Sequence, residues 1–361
     1  MQVFDNDKIT TRQCISFLIN ASIGVGILML PNTLAREGNQ NGWIFLLTGG
    51  IINFLGSLIV ALIAKKCTTR HALDFSEKIF GKILSYPIKF FYTLYFLIIT
   101  VTVIQIISEA LKIFLLCHTP KEFVILNLIL ISAYIIRYGV EPLARICFFL
   151  TPYWFVPSFF FYLLGFSDAD FSRLLPLFTI SFPKLISGTY KSLFSLVGFE
   201  ILLLISPNLK DPKKTIKIVV FYNLFMVLFY LFVVIMVFSS LGIEETKLFV
   251  WPGMEMAKRL ILPGGLFERV DALVISFWLI TVFTTISSYY FAASMCLKSI
   301  LGLEDLRVPA EMLFPLIFIL SFIPKNMAEV ETWLSFSDFL SIPACFLLPL
   351  LYFIVMKTKK L

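Results

Sequence analysis

Two short stretches interrupt long apolar runs in this sequence: Asn20-Ala21-Ser22-Ile23-Gly24-Val25-Gly26 and Ser195-Leu196-Val197-Gly198-Phe199-Glu200. Each lies near the middle of a run of about 20 residues, which is long enough to cross a lipid bilayer. Glycine destabilises a helix by roughly 1 kcal/mol and frees its backbone, so both runs are predicted to unwind at mid-membrane depth. Interrupted helices at matching positions of two half-chains are typical of membrane proteins built from inverted repeats.

The composition also places the chain in lipid. Of its 361 residues, 59% are hydrophobic and 15% are charged, whereas soluble domains carry about 25% charged residues. Residues 123–136 and 219–238 are apolar on every face, which excludes a soluble helix with one buried stripe. The net charge of +7 comes from Lys and Arg in short runs between apolar stretches. This pattern indicates membrane orientation and argues against nucleic-acid binding.

Backbone groups inside a bilayer must pair within their own segment, so these apolar runs are predicted to be helices. The sequence predicts an all-α integral membrane protein with ten transmembrane helices, numbered spans 1 to 10. The predicted spans are residues 11–36, 42–64, 86–116, 121–137, 142–165, 188–206, 215–241, 268–300, 308–323 and 334–356. With the N-terminus in the cytoplasm, most Lys and Arg residues fall on that side, for example Lys65 and Lys213. Both termini are therefore predicted to be cytoplasmic.

Ten spans divide into two sets of five, and because five is odd the second set must run with opposite topology. This layout predicts a 5+5 inverted repeat within a single polytopic membrane domain, residues 1–361. The first repeat covers about residues 9–165 and the second about 188–356. Spans 1 and 6 are then the corresponding broken helices. The repeat is inferred from the layout alone, because the halves share no residue-level identity.

The break in span 1 predicts a site for a small zwitterion. Where span 1 restarts after Gly24 and Gly26, free N–H groups and the positive end of the helix dipole favour a carboxylate. Unwound carbonyls can accept an ammonium group, and an amino acid offers both charges. The alternative is that small residues such as Ala21 and Ser22 only allow close packing between helices.

Glu200 is a carboxyl group near the centre of span 6. Inserting such a group costs at least about 2.5–3.5 kcal/mol, so it is rarely present for packing alone. It can hold a proton, pair with a ligand ammonium, or accept hydrogen bonds from N–H groups freed beside Gly198. The alternative is a polar contact with another helix. Glu109 in span 3 has a weaker claim, because it can reach the membrane interface or pair with Lys112 three residues later.

Hydroxyl groups crowd span 8 and, more loosely, span 3. In span 8 they belong to Thr281, Thr284, Thr285, Ser287, Ser288, Tyr289 and Tyr290. They either line a ligand cavity, coordinate a cation, or bond back to carbonyls of their own helix. In span 3, Tyr95 and Thr102 share a face at a spacing of seven residues.

The sequence shows no residue pattern that would indicate a metal site, a cofactor, a disulfide framework or an enzyme. The six cysteines contain no CxxC pair and the two histidines, His71 and His118, are far apart in sequence, so no metal site, cofactor or disulfide framework is predicted. The chain has no Ser/His/Asp set, phosphate-binding loop or pair of catalytic carboxylates, so no catalytic residues are assigned and an enzyme is not expected. The first apolar stretch lacks the cleavage site of a signal peptide.

Short motifs follow one another in a specific order along nearly the whole chain. The first are Ile9-Thr10-Thr11-Arg12-Gln13 and Gly24-Val25-Gly26-Ile27-Leu28, the latter followed by Leu30-Pro31. The others are residues 42–44, 75–82, 134–137, 139–145, 199–200, 209–214, 267–271 and 277–278. Together they resemble the B subunits of spore germinant receptors, the GerAB type of spore germination protein.

That family resembles a branch of the amino acid-polyamine-organocation (APC) superfamily, so the resemblance implies the LeuT-like fold with broken helices 1 and 6. It further implies a germinant sensor in the inner membrane of a spore, acting beside an A subunit and a lipoprotein C subunit. The implied ligand pocket lies among spans 1, 3, 6 and 8. Its residues in this chain are Gly24, Gly26, Tyr95, Gly198, Phe199, Glu200 and Thr284.

The sequence leaves three functions open, because fold alone does not fix function. In the first, an amino-acid germinant shifts the protein between two states that partner subunits detect. In the second, the same pocket serves a proton- or sodium-coupled amino-acid transporter. In the third, the membrane subunit conducts water or ions without a dedicated ligand.

Overall fold

The computed structural model describes residues 7–67, 71–259 and 270–359, and these residues are almost entirely helical. The α-helices are α1 Thr11–Ile23, α2 Gly26–Gly38, α3 Gly42–Lys66, α4 Ala72–Phe80, α5 Lys82–Phe114, α6 Lys121–Ile136, α7 Val140–Leu164, α8 Phe182–Leu193, α9 Leu202–Ile205, α10 Thr215–Leu241, α11 Ile243–Leu248, α12 Pro252–Arg259, α13 Val270–Leu301, α14 Arg307–Leu320, α15 Met327–Ile342 and α16 Leu348–Thr358. One π-helical turn, Pro343–Leu347, connects α15 to α16.

The helices coincide with the predicted spans, with differences at some ends. The helix of span 6 begins at Phe182 and that of span 10 at Met327. The prediction starts both spans too late, because charged residues such as Lys184 and Glu329 occupy their first turns and lower the local hydropathy. The first two residues of predicted span 8, 268 and 269, lie outside the described residues, as does most of the motif at 267–271.

Six helical segments of the described residues are long and apolar enough to cross a membrane. They are Gly26–Lys66, Lys82–Phe114, Val140–Ser167, Pro212–Leu241, Val270–Leu301 and Met327–Thr358, and a bent pair, Phe182–Leu196 with Phe199–Asn208, adds a seventh. Helices α1, α6 and α14 are shorter, with 13, 16 and 14 residues. The count of ten spans, and the division of one domain into two repeats, therefore stay predictions.

Both predicted helix breaks are present. Span 1 consists of α1 and α2, which are separated at Gly24, where φ is +26°. The two halves of span 6, Phe182–Leu196 and Phe199–Asn208, are bent by 51°. Between them Gly198 has a φ of +134°. Residues with side chains rarely adopt such positive φ values, so glycine is what allows the chain to turn at these two points.

The broken spans lie at the centre of the bundle. Helix α1 packs against α7, α10 and α13, while α5 packs against α13 and α15. Every residue of α1 from Ser16 to Ile23 is buried. In contrast, the outer surface of α7 exposes large apolar side chains such as Phe149 and Phe160. An apolar perimeter around a polar centre is the arrangement expected for helices surrounded by lipid.

Both ends of the described chain lie on one face of the bundle, which we name the terminal face. The N–H of Ile9 donates to the carbonyl of Asn208 at 2.7 Å, and the N–H of Lys210 donates to the carbonyl of Ile9 at 2.9 Å. This pairing, which we name the N-terminal latch, fastens the N-terminal segment to the chain that follows span 6. Near the other terminus, the Lys359 ammonium donates to the carbonyl of Ile79 in α4.

Asp7 extends the N-terminal latch to α7 and α4. Its carboxylate accepts hydrogen bonds from the N–H of Glu141 at 2.9 Å and from Nδ2 of Asn208 at 3.0 Å. His71, just before α4, lies close enough to Asp7 to interact with its charge and bonds through Nδ1 to the carbonyl of Leu204. Burial raises the pKa of Asp7 and lowers that of His71, because burial disfavours the charged form of each group.

The opposite face, which we name the far face, carries the short helices α11 and α12. The amide of Asn32 in α2 donates to the carbonyls of Thr246, Lys247 and Phe249 at 3.0, 3.0 and 2.7 Å. These bonds connect α2, which we name the outer half of span 1 because it lies nearer the far face, to the segment around α11. Helix α1, which we name the inner half, packs in the bundle centre, so the two halves of span 1 contact different parts of the protein.

Candidate functional site

The backbone carbonyls freed at the break in span 1 already accept hydrogen bonds. The hydroxyl of Tyr230 in α10 donates to the carbonyl of Ile23 at 3.0 Å. Nε1 of Trp278 in α13 donates to the carbonyl of Gly24 at 2.8 Å. An unpaired carbonyl in a dry interior costs free energy, so these two side chains stabilise the unwound backbone. They also occupy the carbonyls that the sequence suggests for a ligand ammonium.

Asn20 joins the same region to α7 and α13. Its Oδ1 accepts hydrogen bonds from Nε1 of Trp154 and from the hydroxyl of Thr284, both at 3.0 Å. Its Nδ2 and carbonyl bond to Ser16, Cys147, Thr151 and Thr285. The hydroxyl of Thr284 therefore lies against span 1, where it holds Asn20 in place.

At the break in span 6, the side chain of Glu200 accepts a hydrogen bond from the backbone two residues earlier. The side chain is fully buried; its Oε2 accepts the N–H of Gly198 at 2.8 Å, and its Oε1 accepts the hydroxyl of Tyr95 at 3.2 Å. Sγ of Cys345 lies 3.4 Å from the same hydroxyl. The carboxyl group thus pairs with an N–H that the break leaves free, and in addition makes a polar contact with span 3.

The two breaks touch each other. A methyl group placed on Gly198 would collide with the hydroxyl of Ser22. That hydroxyl lies 2.7 Å from the hydroxyl of Tyr222, which donates to the carbonyl of Leu196 at 2.5 Å. Spans 1 and 6 are therefore in direct contact at the bundle centre, with no room for a side chain between them.

A cavity of about 380 Å³ opens on the far face and ends at the two breaks. Its floor is made by Val25 and Gly26 of span 1 and by Phe194 and Ser195 of span 6. No side chain of the described residues caps the N-terminus of α2, which begins at Gly26. Free N–H groups and the positive end of the α2 dipole therefore meet the cavity floor. A cavity of this volume is within the range of small-molecule sites.

Of the seven predicted ligand residues, Gly26 is the one that lines this cavity in the described structure. The other six are buried and do not line it: Gly24, Tyr95, Gly198, Phe199, Glu200 and Thr284. Phe199 packs edge-on against Phe346 of the π-helical turn, with ring centroids 5.9 Å apart. The structure brings these residues together at the bundle centre, and their role in ligand binding stays a prediction.

Charged residues of the cavity were missing from the sequence prediction. Glu37 at the end of α2 forms an ion pair with Lys191 of α8 and accepts the hydroxyl of Ser187 at 3.2 Å. Asp338 of α15 also lines the cavity, and its Oδ1 has no hydrogen-bond partner among the described residues. Asp338 carries the same signal as Glu200, an acidic group inside an apolar span, and could have been found from it.

Of the roles that the sequence left open for the hydroxyl groups of span 8, the contacts of the described residues show one, the hydrogen bond back to the helix's own carbonyls. Thr281 and Ser288 bond back to carbonyls of their own helix. Thr285 reaches span 1, and Ser287 donates to the hydroxyl of Ser132 in α6 at 3.0 Å. Thr285 and Ser287 therefore connect span 8 to other helices, a role that the sequence did not suggest.

The remaining polar groups considered from the sequence lie outside this centre. Glu109 pairs with Lys121 at 2.5 Å and not with Lys112, because α6 folds back beside the end of α5. Of the cysteines, Cys117 is exposed and the other five are buried. Within the described ranges, no three His, Cys, Asp or Glu side chains come together as a metal site would require.

The match to known proteins extends over most of the chain. Residues 8–330 match the family described as spore germination protein. The chain belongs to the spore germination protein family. It is thus a germination-related integral membrane protein with a transporter-like fold, and its family is not one of enzymes.

Curated relatives cover nearly the full length. The chain is 28% identical over 357 residues to spore germination protein YndE of Bacillus subtilis (strain 168), covering 98% of this chain and 97% of that protein. It is 26% identical to spore germination protein B2 of the same organism, covering 90% of this chain and 88% of that protein. Spore germination protein GerLB of Bacillus cereus is 25% identical, with 99% and 96% covered.

Solved transporter structures share the fold at low sequence identity. A Na⁺-coupled sialic acid symporter in a substrate-bound outward-open state has a TM-score of 0.69 at 11% identity, with 93% of this chain and 76% of that chain covered. MhsT in complex with L-phenylalanine has a TM-score of 0.67 at 13% identity, with 95% and 87% covered. The predicted LeuT-like fold with broken helices 1 and 6 is confirmed.

Proposed function

We propose that this protein is the membrane-embedded, ligand-sensing subunit of a spore germinant receptor, and that its germinant is an amino acid. The observation that carries the proposal is the cavity that opens on the far face and ends where broken spans 1 and 6 meet. The protein acts in the inner membrane of the spore, with the terminal face and both termini in the cytoplasm. An A subunit and a lipoprotein C subunit detect its change of state.

In this proposal the germinant carboxylate binds at the N-terminus of α2. The free N–H groups that begin at Gly26 are suited to an anion, and the α2 dipole adds favourable potential there. The walls from α2 and α8 continue outward to the Glu37–Lys191 ion pair. A ligand on the floor therefore contacts both broken spans.

The germinant triggers the receptor by favouring one of two states of the protein. A ligand shifts such an equilibrium only through different affinities for the two states. A bound ligand draws α2 and α8 together, and the contact between Gly198 and Ser22 carries that movement to the inner half of span 1. The inner half begins at the N-terminal latch, so the latch is where partner subunits sense the change.

A matched pair of glycine variants on α2 tests this function. A methyl group at Gly26 would lie 2.6 Å from the Tyr230 hydroxyl and 3.0 Å from Cβ of Ser195, so it must disturb the cavity floor. Spores that carry Gly26→Ala in an otherwise wild-type receptor should need at least about tenfold more amino-acid germinant to lose refractility. The control is Gly38→Ala, whose methyl group would lie 2.5 Å from the Phe45 ring, outside the cavity.

The control separates loss of the site from loss of packing. Both variants crowd the same helix, so equal loss of response in the two would count against a ligand site at the floor. A normal dose response in Gly26→Ala would also contradict the proposal. The amount of each variant in the spore membrane, measured by immunoblot, must match wild type for the comparison to hold.

The second candidate is a coupled amino-acid transporter that uses the same cavity. Its support is the fold shared with solved transporters, one of them in complex with L-phenylalanine. Uptake of radiolabelled amino acids by the purified chain in liposomes distinguishes the two functions. Substantial uptake that Gly26→Ala abolishes favours transport, while binding without uptake favours the sensor.

A further inference from the structure

Asp338 presents to the cavity a carboxyl group with an oxygen that lacks a hydrogen-bond partner among the described residues. It lies on α15 and lines the cavity, and its Oδ1 is sealed from solvent without a hydrogen-bond donor among the described residues. Leaving a carboxylate oxygen in this condition costs free energy unless a cation or donor meets the group. Ser341, one turn on, donates to the backbone carbonyl of Asp338 and not to its side chain.

The basic side chains of the cavity make contacts with other groups. Lys191 lines the cavity, but its ammonium is paired with Glu37. Arg36 stands exposed and donates from Nε to the carbonyl of Lys247 at 3.1 Å. Glu331 adds a further negative charge on the exposed surface of α15. Among the described residues, two basic and three acidic side chains therefore line the cavity, which favours a cationic group inside it.

Asp338 lies deeper in the cavity than the other acidic residue of α15. Seven residues separate it from Glu331, which is two turns or roughly 10 Å along the helix. The carbonyls at the break in span 1 are less suited to an ammonium group, because those of Ile23 and Gly24 already accept Tyr230 and Trp278. Among the described residues that line the cavity, the buried acceptor without a partner is Oδ1 of Asp338, on span 10.

We propose that Asp338 binds the ammonium group of the ligand, so that the cavity selects small molecules with a protonated primary amine. This inference rests on the proposed function, since it assigns the second end of an amino acid whose carboxylate lies at the N-terminus of α2. A ligand held in this way joins span 1 to span 10. Carboxylic acids of the same size that lack the amine bind poorly, because they leave Asp338 unpaired and add a second negative charge.

Binding to the purified full-length chain in lipid nanodiscs tests the assignment. The probes are the proteinogenic amino acids, n-propylamine and propanoate, each titrated while the thermal unfolding midpoint is followed. The variants are Asp338→Asn, which keeps the shape and removes the charge, Asp338→Glu, which keeps the charge, and Glu329→Gln as the control on the same helix, outside the cavity lining. Asp338→Asn should weaken binding of the amino acid and of n-propylamine at least about tenfold. Asp338→Glu should restore part of this affinity, and Glu329→Gln should change it less than about twofold.

The unliganded variants give a second measurement that a purely structural role would not reproduce. Because Asp338→Asn removes a buried carboxyl group whose Oδ1 has no partner among the described residues, the empty chain should unfold at the same temperature as wild type or higher. A lower unfolding temperature of the empty variant overturns the inference, as does unchanged binding of n-propylamine and amino acids. Binding of n-propylamine that depends on Asp338, with no binding of any amino acid, supports the amine site and overturns the proposed function. Absence of all binding to the wild-type chain overturns both.

Discussion

The far and terminal faces of this molecule are closed in different ways. At the far face, charged side chains surround a cavity of about 380 Å³ that reaches the bundle centre. At the terminal face, backbone hydrogen bonds join Ile9 to Asn208 and Lys210, and Asp7 extends the contact to α7. The first arrangement exposes a polar path, while the second covers the inner end of spans 1 and 6 with main-chain pairing.

This difference indicates which part of the protein is the barrier. Between the cavity floor and the N-terminal latch lie the contact of Gly198 with Ser22 and the cluster of Glu200 with Tyr95. Gly198, Ser22, Glu200 and Tyr95 are all buried. The barrier therefore has two layers, a packed centre and a latch of main-chain hydrogen bonds, and each layer can be opened separately by substitution.

Gly198→Ala should break the packed centre and have the largest effect. The added methyl group collides with the Ser22 hydroxyl, and the φ of +134° is strained for alanine. We expect the free energy of unfolding to fall by at least about 2 kcal/mol. Thermal unfolding of the purified chain measures it. Gly81→Ala is the control, because its φ of +81° is also positive while its methyl group meets nothing within 4 Å; an equal loss in the two would contradict the clash.

Ile9→Pro should open the N-terminal latch and leave the packed centre intact. Proline has no N–H, so the hydrogen bond to Asn208 is lost. Cys14, fully buried on the first turns of α1, should then react with a maleimide at least about tenfold faster. The measurement uses a Cys117→Ser background, which removes the exposed thiol, and locates the label by peptide mapping.

The control for the latch variant is Ile9→Val, which keeps the N–H and most of the apolar side chain. Its Cys14 should label at the wild-type rate. If the rate for Ile9→Pro is also that of wild type, the pairing of Ile9 with Asn208 does not close the terminal face.

Raising the pH should loosen the N-terminal latch slightly. We expect this effect to be smaller than that of Gly198→Ala or of Ile9→Pro. Burial raises the pKa of Asp7 above its usual 3.8, so the protonated form favours the folded, latched state. This contribution to stability is complete below the pKa that Asp7 has in the unfolded chain. It is lost as the pH rises through the raised pKa of Asp7 in the folded chain. The rate of Cys14 labelling, corrected for the effect of pH on the maleimide reaction itself, should therefore increase modestly over the acidic range above pH 3.8. Asp7→Asn should flatten this part of the profile; an identical slope in the variant would exclude Asp7 as its source.

The helix breaks in spans 1 and 6 can be predicted from the sequence because their cause is local. Gly24 and Gly198 stand inside long apolar runs, and the cost of glycine in a helix acts where the residue is. Both positions have positive φ, and both interrupt a helix as predicted. Glu200 was identified for a similar reason, because an acidic residue within an apolar span is visible without any knowledge of its neighbours.

The partners of the breaks could not be predicted, because they come from distant parts of the chain. Tyr230 and Trp278 follow the carbonyls of Ile23 and Gly24 by more than 200 residues, and their hydrogen bonds depend on how the helices pack. Asp338 was predictable by the same reasoning as Glu200. The resemblance implies a pocket among spans 1, 3, 6 and 8, whereas in the structure span 10 completes the cavity.

The π-helical turn in span 10 gives that span two independent halves. At Pro343–Leu347 the backbone winds more slowly than in α15 and α16, and the carbonyl of Ala344 accepts the Tyr92 hydroxyl at 2.7 Å. Helix α15, which carries Asp338, and helix α16, which carries Tyr352, are therefore separated by a turn that does not continue the α-helical hydrogen-bond pattern. Because Phe346 of this turn packs against Phe199, and Cys345 lies beside the Tyr95 hydroxyl, the turn also connects span 10 to the break in span 6.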